Sequence, residues 1–248
     1  MEVKVYSTKK ETSEAAAKKA LSILKKAIKE KGKATFVVAT GASQFDFLQA
    51  LLADSTMDWS KTKMFHLDEY VGLPETHPAS FRKYLKERFV SKAGNIGEVN
   101  LVQGDAGDPQ AECQRLNALL KNETVDVAFV GIGENGHLAF NDPPADFEVE
   151  DPFIIVDLDE ACRKQQIGEG WFKSVDEVPA QAISMSIKQI MKAENIICTA
   201  PEERKAQAAK DCFEGSEISP MHPASILKKH PNTFIFLDNG SASLLEKK

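Results

Sequence analysis

No stretch of the 248 residues is apolar for long enough to span a membrane. The opening Met1-Glu2-Val3-Lys4-Val5 lacks the apolar core of a secretory signal. Both absences set the expectation of a cytoplasmic protein with no membrane partner. An excess of positive charge is missing too: Lys+Arg total 31 against Asp+Glu 37, a formal net charge of -6. Nucleic-acid binders draw their affinity from neutralising phosphates, so no nucleic-acid partner is expected. A small anionic ligand remains open, because one local cationic pocket suffices for it. Cysteine is scarce. Cys113, Cys162, Cys198 and Cys212 form no C-x-x-C pair, and no histidine stands beside them at zinc spacing. Reduced thiols, with neither disulfide nor metal, are the expectation. Internal repeats, low-complexity tracts and linkers are absent as well.

What is present is ordinary for a globular protein, with 42% hydrophobic and 27% charged residues. Short apolar runs alternate with amphipathic stretches from end to end. Strands are expected at Val3–Tyr6, Thr35–Thr40, Lys63–Leu67, Asn100–Val102, Val125–Val130, Phe153–Val156, Ile196–Thr199 and Thr233–Leu237. Helices are expected over Glu11–Glu30, Phe45–Leu52, Phe81–Val90, Ile187–Lys192, Glu202–Phe213 and Ala224–Lys229, with a further one opened by Pro109. Such alternation predicts an α/β fold, a mostly parallel sheet with helices on both faces. One domain over residues 1–248 is expected, with the less regular stretch 143–178 as a flap or lid.

Ligands of open α/β sheets sit beyond the carboxyl ends of the strands, so the residues following each buried strand carry the functional reading. Thr35–Thr40 is followed by Gly41-Ala42-Ser43, a small-residue turn into a helix that offers backbone N–H groups to an anion. Lys63–Leu67 is followed by Asp68-Glu69-Tyr70, whose adjacent carboxylates are either loop charges or an acid/base site. Val125–Val130 is followed by Gly131-Ile132-Gly133-Glu134-Asn135-Gly136-His137, with Asp142 five residues on. The glycines let the backbone approach a ligand closely, yet they lack the G-x-G-x-x-G spacing of a dinucleotide site. A histidine in such a turn with a carboxylate nearby points to proton transfer.

Leu67-Asp68-Glu69-Tyr70-Val71-Gly72-Leu73-Pro74 resembles the D-E-Y-V-G-L-P segment of glucosamine-6-phosphate deaminases. Gly131 to Pro143 is similar to their G-x-G-x-[DN]-G-H-x-[AG]-F-N-E-P loop. Pro223-Ala224-Ser225-Ile226-Leu227 with His230-Pro231-Asn232 resembles their C-terminal segment, and the three occur in the family's order. The resemblance implies a Rossmann-like fold and conversion of glucosamine 6-phosphate and water to fructose 6-phosphate and ammonia. No metal or organic cofactor is implied, and the partner is a small phosphosugar. Members of the family are monomers or homo-oligomers. By the same resemblance Asp68 is the base that moves a proton between C2 and C1, and His137 assists ring opening. Asn135 and Asp142 orient that histidine. Lys205 and the backbone at Ala42 and Ser43 take the phosphate. Gly41, Glu69 and Gly136 complete the expected substrate-binding set.

Three departures from the family pattern stand out. Asp142 replaces the usual glutamate and is one methylene shorter. Asn135 replaces an aspartate found in many members and brings no charge to His137. The arginine that grips the phosphate directly before a Phe-Phe pair is absent: the stretch Arg163 to Phe172 has Gly170 at its position. Arg163 is one candidate to replace it from a shifted place, and Arg204 another. An S-R-T-R segment after the G-H loop is also missing, which removes the expectation of an allosteric phosphosugar site. The alternatives weighed against a deaminase are a sugar-phosphate lactonase on the same fold and a non-catalytic sugar-phosphate sensor. Retention of Asp68-Glu69-Tyr70 disfavours the lactonase.

Overall fold

Seven strands run parallel through the centre of the computed structural model, which describes residues 1–168, 170 and 172–246. Glu169 and Trp171, in the stretch read against the family arginine, lie outside the described residues, as do Lys247 and Lys248. Numbered along the chain, the strands in sheet order are β1 (Glu2–Tyr6), β10 (Thr233–Asp238), β9 (Ile196–Thr199), β6 (Val127–Val130), β2 (Ala34–Val38), β3 (Thr62–His66) and β5 (Glu98–Asn100). Their burial follows from the two-residue period of a strand. In β2, Phe36 and Val38 enter one apolar core and Val37 the other; in β6, Val127 and Phe129 oppose Ala128 and Val130.

Helices cover both faces. α1 (Lys9–Lys31) and α2 (Phe45–Leu52) close the core around Phe36 and Phe129. α1 starts where Thr8 and Glu11 exchange side-chain-to-backbone hydrogen bonds, and ends at Gly32, whose φ of 78° only glycine adopts without strain. On that side, α3 (Phe81–Leu85) continues through a π turn at Lys86–Val90 into α4 (Ser91–Ala93). The opposite core takes residues from α5 (Pro109–Leu120), from α7 (Ile187–Met191) and from α8 (Ala206–Phe213). The mostly parallel sheet with helices on both faces is thus present as a single α/β domain.

A second sheet was not expected. β4 (Asp68–Tyr70), β8 (Gln181–Met185) and β7 (Phe153–Asp157) pair antiparallel in the order β4-β8-β7. The chain leaves β3, passes Leu67, and enters β4 at once. The Leu67 carbonyl accepts from the Met185 N–H, so the two sheets are stitched together beside Asp68. The segment 143–178 holds β7, α6 (Glu160–Gly168) and a single turn at Val175–Glu177. A third, smaller apolar cluster, with Tyr70, Phe140, Cys162, Phe172 and Val178, packs α6 onto the small sheet.

In the main sheet, β2 leads outward to β3 and β5, whereas β6 lies on its other side and leads toward β9 and β10. The loops after β2 and β6 therefore diverge, and a crevice opens between them at the carboxyl ends.

Candidate active site

A cleft of about 620 Å³ opens at that crevice, lined by residues that follow four of the parallel strands. Ala39 to Gln44 follow β2, Leu67 and Asp68 follow β3, Gly131 to Gly133 and His137 follow β6, and Arg204 and Lys205 follow β9. Phe81, Ala139, Phe140 and Gln166 complete the wall. Residues that are up to 166 positions apart thus share one surface because the strands beneath them are neighbours.

The His137 ring lies against the backbone of Gly133. A Cβ on that glycine would come within 2.4 to 2.6 Å of three ring atoms. Nδ1 of His137 is 2.9 Å from Oδ1 of Asp142, so the shorter carboxylate still reaches the ring. Asn135 closes the arrangement twice. Its amide Nδ2 donates to the same Asp142 oxygen at 2.9 Å, and its Oδ1 accepts from the His137 backbone N–H at 3.1 Å. An ionised aspartate at position 135 has no proton for that first bond and would set two carboxylates side by side. Asparagine therefore fits the shorter Asp142. Cys162 of α6 is near enough to Asp142 to help lower its pKa. Burial pushes the Asp142 pKa up, but the His137 hydrogen bond and charge, with Cys162 and Asn135, outweigh it and hold Asp142 at about 2. With an ionised acceptor fixed at Nδ1, the Nε2 of His137 is left to act on a ligand.

Strain and small residues shape this loop. Ala139 has φ of 51° and Gly136 of 82°, both in the left-handed region. The alanine conformation costs about 1–2 kcal/mol. It is held by Asn141, whose amide donates to the Leu138 carbonyl at 2.7 Å and to that of Met185 at 2.9 Å. Ser184 of β8 accepts from the Phe140 N–H. Gly136 has no room for a side chain: a Cβ would come within 2.7 Å of the Cys212 sulfur.

Asp68 opens β4, pairs in register with Ser184, and is 8% exposed on the cleft wall. Its neighbour Glu69, expected to bind substrate, is placed elsewhere. Alternate strand residues face opposite ways, so Glu69 points into the interior and does not line the cleft. Its carboxylate accepts from the Ser80 hydroxyl at 2.8 Å and from the Arg82 N–H at 2.9 Å, and Arg82 Nε lies 3.6 Å away. Burial raises the Glu69 pKa, and the bonds from Arg82, Ser80, Phe81 and Tyr70 only partly offset that. Glu69 anchors the start of α3 and so fixes the loop from Val71 to Ser80. His66, at the end of β3, is fully buried and pushed down to about 3 by burial and by the Arg82 charge. As a neutral ring it accepts from the Val102 N–H at 2.7 Å and ties the β5 edge to β3.

Loop 41–44 and the turn after β9 form the cationic end. Gly41, Ala42 and Ser43 line the cleft at the start of a 3-10 turn (Ala42–Gln44), whose first N–H groups have no acceptor within the turn. The Thr40 hydroxyl is buried without a hydrogen-bond partner. Gln44 braces the loop by donating to the Thr199 carbonyl at 2.9 Å. Lys205 is 3% exposed, yet lines the cleft. It follows Glu202, whose φ of 86° is strained and whose N–H is gripped by both oxygens of Asp238. Arg204, also on the cleft wall, pairs with Glu202 at 2.7 Å and Glu134 at 3.1 Å.

Arg163 does not reach the cleft. Its guanidinium donates to the carbonyls of Val175 and Val178 and holds that turn against α6. Gly170, at the position of the family's arginine, has φ of 84° and does not line the cleft. Gly136 is buried beneath the His137 loop rather than on the cleft wall. Of the expected residues, then, Asp68, His137, Gly41, Ala42, Ser43 and Lys205 share the cleft wall. Asn135 and Asp142 stand directly behind the histidine. Residues the sequence reading passed over are Thr40, Asn141, Cys162, Gln166 and Ser184. Thr40 and Asn141 lay inside motifs that were read for their neighbours. Cys162 and Gln166 are four apart on α6, a spacing that would have put them on one helix face had the helix been recognised.

Among the described residues, no group of three or more His, Cys, Asp or Glu side chains could hold a metal ion, and no helix is long and apolar enough to cross a membrane. All four cysteines are buried and unpaired, with Cys113 pushed up by burial to about 11 and Cys212 to about 12.

Comparison with known proteins gives a consistent picture. The family described as glucosamine-6-phosphate isomerases/6-phosphogluconolactonase matches residues 7–235. A glucosamine-6-phosphate deaminase of Lactobacillus delbrueckii subsp. bulgaricus is 39% identical over 231 residues, 92% of this chain and 94% of that one. One of Listeria monocytogenes is 38% identical over 232 residues, 93% of this chain and 96% of that one. Among solved structures, a monomeric glucosamine-6-phosphate deaminase superposes with a TM-score of 0.87 at 30% identity, covering 98% of this chain and all 100% of that one. A 6-phosphogluconolactonase from Shewanella baltica shares the fold alone, with a TM-score of 0.76 at 19% identity over 96% of this chain and 97% of that one.

Proposed function

The chain belongs to the glucosamine-6-phosphate isomerase/6-phosphogluconolactonase family, and from that premise we propose that it converts glucosamine 6-phosphate and water to fructose 6-phosphate and ammonia. The observation that carries this reading is one cleft holding a carboxylate, a carboxylate-oriented histidine and a buried lysine beside an anion-binding turn.

In this reading the phosphate sits at the start of the Ala42–Gln44 turn. The turn's N–H groups and the Thr40 hydroxyl supply hydrogen bonds and Lys205 supplies charge. Arg204 provides the second positive charge that Gly170 and Arg163 do not. Fixing the phosphate spends binding energy away from the reacting carbons and positions them at Asp68 and His137. Nε2 of His137 moves the proton that opens the pyranose, between the ring oxygen and the C1 hydroxyl. Asp142 keeps the ring oriented throughout, with Asn135 fixing that carboxylate.

In the open-chain aldehyde, the Asp68 carboxylate removes the C2 proton, the electron pair forms the C1–C2 double bond, and the C1 oxygen takes a proton from the substrate's ammonium group, which gives the enolamine. Return of the proton from Asp68 to C1 gives the C2 iminium. Water adds to that carbon, a proton passes to nitrogen, and ammonia leaves as the C2 carbonyl forms. Each step conserves protons and electrons, so no redox partner is needed. The segment 143–178 acts as a cover over this cleft within the one domain, since α6 brings Cys162 to Asp142 and Gln166 to the wall.

The test is an ammonia-release assay with glucosamine 6-phosphate, run beside galactosamine 6-phosphate and unphosphorylated glucosamine. Ammonia from the first substrate, lost in Asp68→Asn, supports the reading. Silence with all three, or equal turnover of unphosphorylated glucosamine, overturns it.

A further inference from the structure

The stretch that lacks the family's arginine still sends a side chain into the cleft. Gln166 of α6 is 6% exposed and lines the cleft wall. The Tyr70 hydroxyl donates to its amide oxygen at 2.7 Å. With its oxygen held by Tyr70, the amide turns its nitrogen to the cleft. The nitrogen makes no hydrogen bond among the described residues. An amide with its oxygen held and its N–H donors open to the cleft is oriented to donate to a ligand there.

Tyr70 is itself rigid. It is 1% exposed and packed by Phe81, Phe140 and Phe172 at ring-centroid distances of 5.2 to 5.4 Å. It stands two residues after Asp68 on β4, so the two share a face of the strand. Gln166 is therefore tied, through Tyr70, to the strand that carries Asp68. The amide is also neutral, which suits a hydroxyl better than a phosphate already surrounded by cations.

We propose that Gln166 is a substrate-contacting, specificity-determining residue whose amide N–H donates to a hydroxyl of the sugar next to Asp68. The identity of that hydroxyl's owner rests on the amino-sugar phosphate reading above; the presence of a polar ligand against the amide does not. A site built to hydrogen-bond a hydroxyl rejects sugars that present it differently, because the buried donor is then left unpaired. Gln166 thus replaces the charge of the absent arginine with recognition of the sugar's stereochemistry.

The experiment compares wild type with Gln166→Glu and Gln166→Leu. The first variant keeps an acceptor for Tyr70 and removes the donor, and the second removes both. Thermal melts establish that each variant is folded. For glucosamine 6-phosphate, kcat/KM is expected to fall by about ten-fold or more in both. Inhibition by inorganic phosphate should stay at the wild-type level, and discrimination against galactosamine 6-phosphate should narrow. Wild-type kcat/KM in both variants overturns the proposal, and so does weakened inhibition by inorganic phosphate, which would move the contact to the phosphate. Should wild type release no ammonia from any amino-sugar phosphate, the functional reading fails separately. Calorimetric binding of fructose 6-phosphate then decides on Gln166. Binding to wild type that is weakened in Gln166→Glu supports the contact. Equal binding, or none to wild type, overturns it.

Discussion

Replacing Gly133 with alanine tests the placement of His137 through a single carbon atom. The new Cβ would sit 2.4 Å from Cε1 of the ring, 2.5 Å from Nδ1 and 2.6 Å from Nε2. Ordinary van der Waals contact begins at about 3.4 Å, so the ring must withdraw by about 1 Å. It cannot do so and keep its 2.9 Å bond to Asp142, because Asn135 holds that carboxylate in place. A displacement of about 1 Å in a catalytic group costs roughly a hundred-fold in rate. The loop lies at the surface and the ring can move outward, so the melting temperature should change little. Gly107, where an added Cβ meets nothing within 4 Å, gives the matched control. The assay is ammonia release from glucosamine 6-phosphate with thermal melts of both variants. Gly133→Ala should lose about two orders of magnitude in kcat while Gly107→Ala keeps wild-type activity. Wild-type kcat in Gly133→Ala, with the fold intact, would refute the argument that the ring's position matters.

The remaining predictions concern charge. Glu69→Ala leaves the Ser80 hydroxyl and the Arg82 N–H without their acceptor, while Arg82 keeps Asp105 at 2.8 Å, and should destabilise the protein by about 1–3 kcal/mol in urea unfolding; an unchanged stability would show that the carboxylate does not anchor the start of α3. Asp142 titrates at about 2 in the folded protein against 3.8 when unfolded, so its contribution is fully present above pH 4 and fades as pH falls from about 4 to 2. The difference in unfolding free energy between wild type and Asp142→Asn should be about 2 kcal/mol at neutral pH and shrink over that window. A difference that stays constant down to pH 2 contradicts the assigned cause. Lys205→Met should raise KM for glucosamine 6-phosphate at least about ten-fold and flatten its dependence on ionic strength; an unchanged KM would exclude Lys205 from phosphate binding.

Much of the fold was legible because the parallel strands are buried on both sides and read as continuous apolar runs. Ile196–Thr199 and Phe45–Leu52 match β9 and α2 residue for residue, and Pro109 does open α5. The misses share a cause. β4 is three residues long and begins Asp-Glu, a composition that reads as loop when local propensity alone is weighed. Its strand character comes from pairing with β8, whose own sequence, Gln-Ala-Ile-Ser-Met, is too short and polar to announce itself. α6 has weak apolar periodicity because the face it turns inward carries Cys162, a small member of the third apolar cluster, and the polar Gln166, which lines the cleft. The edge strand β5 begins at Glu98, two residues before its expected start, since an edge tolerates the charge. At the site, the strand-end loops named Asp68, His137 and Asp142, and the family resemblance added Lys205. The strand's two-residue period moved Glu69 to the interior, and Arg163 was lost to the carbonyls of its own turn.

The central claim is that Asp68 takes the proton from C2 of the bound amino sugar. Glucosamine 6-phosphate deuterated at C2, given to wild type and to Asp68→Asn and followed by NMR, tests it directly. The account predicts that wild type forms fructose 6-phosphate more slowly from the labelled substrate than from the unlabelled one, with the deuterium gone from C2 and found at C1 or in water. Asp68→Asn, folded by its melting curve, should leave the label at C2 and release no ammonia. Loss of the C2 label at the wild-type rate in Asp68→Asn would contradict the account.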